Sequence, residues 1–333
     1  PTCAVLMAAY NGDKWIEKQL DSILNQTDVQ VSVFISVDLS TDQTLEIVEK
    51  LSEVDSRLKL LPYGERFGGA GPNFYRLIKD ADVSSFDMVA FSDQDDVWLP
   101  DKLSTAWLKL TSGEYQAYSS DVIAFWDDGR QSVIKKSYPQ KRYDHLFEAA
   151  GPGCTYAFSS QCFGQIKQFV TSNYEGCRKV SLHDWLVYAF CRESGMNWLI
   201  DNEPKMLYRQ HDSNQIGTND NLRAYVKRFA SVRGHWYRSQ VTAIVSLCSK
   251  LPVEVVSLDN QAQTCVIWTR KPTYSGTGNL YLFIGKAGET QPPVTDPFGR
   301  NAVWVGEIAV YHFQSDASDS SGNGYDGAVI GAD

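Results

Sequence analysis

Apolar residues in the first hundred positions recur in two rhythms. "CAVLMAAY" is a short unbroken apolar run, whereas in "NGDKWIEKQLDSILNQT" the residues Ile16, Leu20, Ile23 and Leu24 return at helical spacing. A strand followed by a helix is expected, with Asn11 or Asp13 as the helix cap. "VSVFISVD" repeats the strand, and Ser40 with Gln43 makes a capping-box pattern ahead of Leu45, Val48 and Leu51. "RLKLLPY" reads as a third strand. Pro72 suits the first position of the next helix, with Phe74, Leu77 and Ile78 inward. "FDMVAFS" reads as a fourth strand, and Pro100 opens a helix carrying Leu103, Trp107 and Leu110.

Strands alternating with helices predict an α/β fold with a mainly parallel sheet, whose ligands gather at the carboxyl ends of the strands. "AAYNG", "DLSTD" and the acidic "SDQDD" each follow such an end, so three loops from separate parts of the chain should meet in one crevice. Beyond Gly113 the pattern loosens, although "HDWLVYAFC" is helical by its Trp185, Tyr188 and Ala189. Residues 220–250 read as one or two amphipathic helices. From about Gln263, "TCVIWTR", "NLYLFIG" and "AVWVGEIAVYHF" alternate in β fashion between Gly, Pro, Asp and Ser turns. The expected organisation is an α/β domain over 1–219, basic helices over 220–250 and a small β-rich module over 257–333.

The composition, 43% hydrophobic in 333 residues, suits a globular chain with a real core. No run nears the roughly eighteen apolar residues of a membrane span, and no charged-then-apolar leader opens the chain; Pro1 points to a trimmed start. Seven cysteines without a C-x-x-C pair argue for buried thiols in a reducing, cytoplasmic setting and against a disulfide framework or a zinc site. A net charge of −9 disfavours nucleic acid as a partner. Residues 220–250 run against that charge, with six basic side chains and one acid. Their interleaved Tyr225, Phe229, Trp236 and Tyr237 fit peripheral contact with the anionic inner face of a membrane, and equally a solvated helix face.

Three carboxylates, Asp93, Asp95 and Asp96, crowd behind the fourth strand. Such like charges raise one another's pKa and are stable in water, beside donors or around a cation. On an extended segment Asp93 and Asp95 would face one point while Asp96 faces elsewhere, and oxygen ligands suit Mg²⁺ or Mn²⁺. A solvated acidic turn ahead of the Pro100 helix is the plainer alternative. "RFGGAGPNF" would cradle phosphate at a helix start, or serve only as a turn; it lacks the third glycine of the dinucleotide fingerprint. Asp184 opens an apolar helix, where the macrodipole favours a carboxylate, and His211 lies in the polar loop "YRQHDSN".

"LMAAYNGDKWIEKQLDSILNQT", "VFISVDLSTDQT", "FGGAGPNFYRLI", "FSDQDDVWLPDKL", "GPGCTYAFS", "HDWLVYAF" and "YRQHDSNQIG" together resemble the successive blocks of inverting family 2 glycosyltransferases, above all rhamnosyltransferase-like bacterial members. The resemblance implies a GT-A fold, Rossmann-like, that takes a nucleotide-diphospho-sugar donor. Ala9, Tyr10, Asn11, Asp38, Gly68 and Asp93 would then line the donor, with Asp95, Asp93 and His211 at the metal. Asp184 would be the base, and Trp185 and Trp98 would meet a glycan or lipid-linked acceptor. Two departures stand out: Val37 replaces one carboxylate of the usual "DDGSTD", and Pro72 precedes Asn73 where relatives often carry Arg. The tail resembles a small domain that precedes concanavalin-like sandwiches in secreted proteins. A carbohydrate-binding protein with an inactive transferase domain, or a two-acid glycosidase, are the rival readings.

Overall fold

In the computed structural model, residues 1–210 and 236–248 are described in full, and Val253–Asp259, Thr264–Thr269, Asn279–Leu280 and Trp304–Val305 by their backbone. The chain divides into two compact units, Pro1–Ser249 and Lys250–Asp333.

The first unit is built on strands β1 (Thr2–Ala9), β2 (Gln30–Val37), β3 (Leu58–Leu60) and β4 (Met88–Ser92), joined by helices α1 (Ile16–Leu24), α2 (Thr44–Val54) and α3 (Ala70–Asp80). β1 pairs in parallel with both β2 and β4, which aligns Ala9 with Val37 and Met7 with Ser92. Helices shield β1 on both faces, so Cys3 to Met7 are all fully buried. This is why the run is continuously apolar instead of alternating. After β5 (Val97–Trp98) and α4 (Lys102–Leu110), the chain adds β6 (Ala117–Ser120), β7 (Val122–Phe125), β8 (Gln131–Ile134) and β9 (Ala157–Ser159). β9 enters the main sheet antiparallel between β4 and β6. With β10 (Trp198–Asp201) the order is β10-β6-β9-β4-β1-β2-β3. β11 (Met206–Arg209) joins β5, β7 and β8 in a second sheet of order β5-β11-β7-β8.

Helices α5 (Ser160–Ser172), α6 (Tyr174–Cys177) and α7 (His183–Glu193) complete the layer behind β4, and α3 packs on α5 and α7. The turn reading of the glycine loop fits what Gly71 does: a Cβ there would collide with the Ser181 carbonyl, so glycine lets α3 approach the chain entering α7. Pro72 is the third residue of α3, two positions later than expected and still where no intrahelical N–H is required. α8 (Trp236–Cys248) belongs to this unit, with Gln240, Val241, Ile244 and Val245 buried. Gln240 accepts from the Ser181 N–H at 2.6 Å and donates to the Lys179 carbonyl at 3.2 Å. The rest of the basic segment, residues 220–235 and 249–250, lies outside the described residues.

Two capping expectations fail, and for the same reason. α1 begins after Trp15 with no side-chain cap, and α2 begins after Gln43 with none from Ser40. Asn11 and Ser40 are spent instead on bonds between loops, and Asp42 accepts from the Thr44 N–H at 3.0 Å. In the second unit, β12 (Val253–Asp259) pairs antiparallel with β13 (Thr264–Thr269), in keeping with the β character read there.

Candidate active site

Parallel pairing of β1, β2 and β4 brings their three following loops together. Asn11 sits at φ 48°, a left-handed conformation its short amide tolerates. Its Oδ1 accepts from the Thr41 N–H at 2.8 Å, and its own N–H donates to Ser40 Oγ at 3.1 Å. Thr44 Oγ1 takes the Gly12 N–H at 2.7 Å. The third loop joins through Gln94, whose amide accepts from the Tyr10 N–H at 2.9 Å and donates to the Tyr10 carbonyl at 2.7 Å. Tyr10 keeps its ring exposed, while Ala9 is buried at the strand end.

Asp38 is buried and accepts three backbone N–H groups: Leu39 and Gly68 at 2.8 Å, and Phe67 at 2.9 Å. It therefore pins the glycine loop to the end of β2, and Gly68, at φ 80°, points its N–H into that carboxylate instead of outward to a phosphate.

The acidic stretch is a bend, not an extended segment. Asp96 therefore does not face elsewhere as expected: ligand atoms of Asp93, Asp96 and Cys154 lie within 4.8 Å of one another. Asp96 is 1% exposed, its Oδ1 accepts from the Arg209 N–H at 3.1 Å, and its Oδ2 has no hydrogen-bond partner. Arg209 also donates from Nε to the Asp95 carbonyl at 2.8 Å, fastening the bend to β11. Burial, then the charges of Asp95 and Asp184, push Asp93 up to about 7. Burial and the same neighbourhood hold Asp96 well above the usual carboxylate range. Two buried acids that resist ionisation, gathered with a thiol, make a donor set that fits a divalent cation. Below the cluster lies the fully buried Lys102, its Nζ 3.6 Å from the Trp98 ring centroid, with burial pushing it down to about 8.

Asp184, in the first turn of α7, is raised to about 6, chiefly by burial, against the pull of the Trp185 N–H at 2.8 Å. Gly153 stands against Asp184 and the next residue, Cys154, against Asp93 and Asp96, so the base candidate and the acidic bend flank one short segment. His183 is no rival base. Burial pushes it down to about 3, and it stacks on Phe74 with centroids 3.7 Å apart. Gly153 makes room for both: a Cβ there would stand 2.6 Å from His183 Nε2 and 3.1 Å from Asp184 Cβ. Gly153→Ala is expected to cost about 1–3 kcal/mol of stability through overpacking, read by urea denaturation. Activity should fall with it, because the Asp184 side chain must shift.

The two tryptophans expected at an acceptor are instead packing residues. Trp185 is 3% exposed, donates Nε1–H to the His145 carbonyl at 3.0 Å and stacks on Tyr237. Trp98 is equally buried, beneath Lys102. Neither offers a free ring face to a sugar. His211 lies outside the described residues. Local patterns gave no hint of Cys154, Arg209 and Gln94 as site residues, since each arrives through tertiary pairing. Lys102 did carry a signal: with Ala106 and Leu110 it falls on the buried stripe of α4, an unusual place for lysine. The cysteines among the described residues are free, as expected.

The family model described as "Glycosyl transferase family 2" matches residues 4–171. A dTDP-rhamnosyl transferase, RfbG of Shigella flexneri, is 47% identical over 241 residues, covering 72% of this chain and 83% of that protein. An Escherichia coli β-1,3-glucosyltransferase, WfgD, described as using UDP-Glc and α-D-GlcNAc-diphosphoundecaprenol, is 30% identical over 159 residues, covering 45% of this chain and 57% of that protein. Among solved structures, S. aureus TarS 1–349 in complex with UDP-GlcNAc superposes with a TM-score of 0.48 at 17% identity, covering 74% of this chain and 71% of that one.

Proposed function

The chain belongs to glycosyl transferase family 2 and is a glycosyltransferase using a nucleotide-sugar donor, and from that premise we propose that it moves rhamnose from a dTDP donor onto a glycan or lipid-linked acceptor, with inversion, in cell-surface polysaccharide synthesis. The RfbG-like relationship supports the donor, and the diphosphoundecaprenol acceptor of WfgD supports the lipid-linked class. No helix among the described residues is long and apolar enough to cross a membrane. In this reading the basic segment of residues 220–250, most of which lies outside the described residues, would meet an anionic membrane surface through its six basic side chains.

What supports the reading is that Gly153 lies against Asp184 while its neighbour Cys154 clusters with Asp93 and Asp96 within 4.8 Å, which brings a carboxyl raised to about 6 to the acidic bend. In this reading Asp184 takes the proton from the acceptor hydroxyl as that oxygen attacks the anomeric carbon, opposite the departing diphosphate. The loops of Tyr10–Asn11 and Asp38–Gly68 position the nucleotide. Asp93 and Asp95, with the unpaired oxygen of Asp96, would hold Mn²⁺ or Mg²⁺, and His211 would add a contact to metal or diphosphate. When bound, the cation supplies Lewis-acid stabilisation of the leaving diphosphate.

The test is a panel of dTDP-rhamnose, UDP-glucose, UDP-N-acetylglucosamine and GDP-mannose, assayed for release of the nucleoside diphosphate. Turnover of dTDP-rhamnose should exceed the others by about ten-fold or more, which corresponds to roughly 1.4 kcal/mol of discrimination. Sugar binding without turnover of any donor would favour the inactive carbohydrate-binding alternative.

A further inference from the structure

We propose that Gln94 is a positioning residue that couples the acidic bend to the nucleotide loop, so that cation and nucleoside diphosphate each tighten the other's binding. The inference rests on the donor reading above. Gln94 stands between Asp93 and Asp95, yet its side chain leaves the bend and grips the backbone of Tyr10 at two points, N–H and carbonyl together. A primary amide offers a donor and an acceptor side by side, and only one orientation of it satisfies both groups of Tyr10. Two bonds to one residue fix direction as well as distance. A displacement of the bend is thereby transmitted to Tyr10.

The grip continues into the second loop. Asn11, held left-handed, is bonded to both Ser40 and Thr41, and Gly12 to Thr44. Gly12 is part of the same device, because a Cβ there would collide with Gln94 Oε1. An alanine at position 12 would therefore evict the amide without touching the acidic bend. Both Gln94 bonds lie at the exposed surface, where water would serve Tyr10 equally well, so their loss should cost little stability. What the amide controls is the relative position of two loops. By linkage, whatever the grip transmits between a cation at the acidic bend and a nucleotide on Tyr10 and Asn11 is felt equally by both, and the proposal is that it is favourable.

The experiment is calorimetric titration of dTDP into the full chain with and without Mn²⁺, for wild type, Gln94→Leu, Gly12→Ala and the Gly12→Ala/Gln94→Ala double variant. In the wild type Mn²⁺ should tighten dTDP by a factor in the range of about 5 to 150. Gln94→Leu and Gly12→Ala should each lower that factor by about three-fold or more, leaving the part carried by direct contact between cation and diphosphate, with the melting temperature nearly unchanged. The double variant should be no worse than either single one, because both break the same grip. Full Mn²⁺ enhancement retained in Gln94→Leu, or additive losses in the double variant, would overturn the coupling while leaving the donor reading standing. A wild type whose dTDP affinity ignores Mn²⁺ would remove both.

Discussion

Replacing Asp184 by Asn should lower rhamnose transfer by about a thousand-fold while leaving dTDP affinity within about two-fold. The asymmetry follows from position. Asp184 lies on α7, outside the Tyr10–Asn11 and Asp38–Gly68 loops assigned to the nucleotide, and its substitute keeps an oxygen to accept the Trp185 N–H. What Asn lacks is the capacity to take a proton. The pH profile gives a second readout. The base acts as the carboxylate, and burial raises it from the ordinary 3.8 to about 6, so wild-type kcat/KM should fall about ten-fold per pH unit below 6. The residual rate of Asp184→Asn should lack that limb. Stability carries the opposite sign. A carboxyl whose folded pKa exceeds its unfolded one favours folding when protonated, and that contribution is lost as pH rises from about 4 through about 6. The neutral Asn escapes the loss, so Asp184→Asn should melt higher than wild type at pH 8. A variant that is both inactive and less stable there would mean that Asp184 is a structural acid.

The first four strands and the helices between them were legible because each carries its own periodicity, and the unbroken apolar run of β1 suits the interior place the sheet gives it. What pattern alone could not show was where polar side chains at loop starts would go. Asn11 and Ser40 look like helix caps in one dimension, but parallel pairing of β1 with β2 puts their loops side by side and they bond to each other's loop instead. The acidic triplet was placed at the correct strand end and given the wrong conformation. An extended chain would have separated Asp96 from Asp93, whereas the bend, fastened by Arg209 from β11, gathers them around Cys154. Arg209 and Cys154 lie far along the chain from Asp96, and no local rhythm announces such a meeting. Trp98 and Trp185 illustrate the converse error: an aromatic beside a catalytic motif suggests a sugar platform, yet burial and, for Trp185, an indole hydrogen bond assign them to packing.

Removing divalent cations should be the other large effect. Treatment with EDTA should reduce dTDP-rhamnose turnover by about a hundred-fold or more, and Mn²⁺ should restore it, because a leaving diphosphate without Lewis-acid stabilisation loses several kcal/mol of transition-state support. The charge state of the bend makes the effect depend on pH. Asp93 titrates near 7 and Asp96 higher than an ordinary carboxylate, so protons compete with the cation. Mn²⁺ affinity should therefore climb between pH 6 and 8, with protons released on binding. Asp95→Ala and Asp93→Asn should each weaken Mn²⁺ binding measured by calorimetry, and Asp93→Asn should also flatten the pH dependence, since it deletes the proton competitor. Cys154 adds a soft neighbour to an otherwise hard oxygen set, which favours Mn²⁺ over Mg²⁺. Cys154→Ser should accordingly narrow the gap between the two metals without abolishing either activity. Turnover in EDTA equal to that in Mn²⁺ would leave Asp93 and Asp96 as a buried acid cluster stabilised by protons, with Lys102 beneath it and Arg209 against the bend.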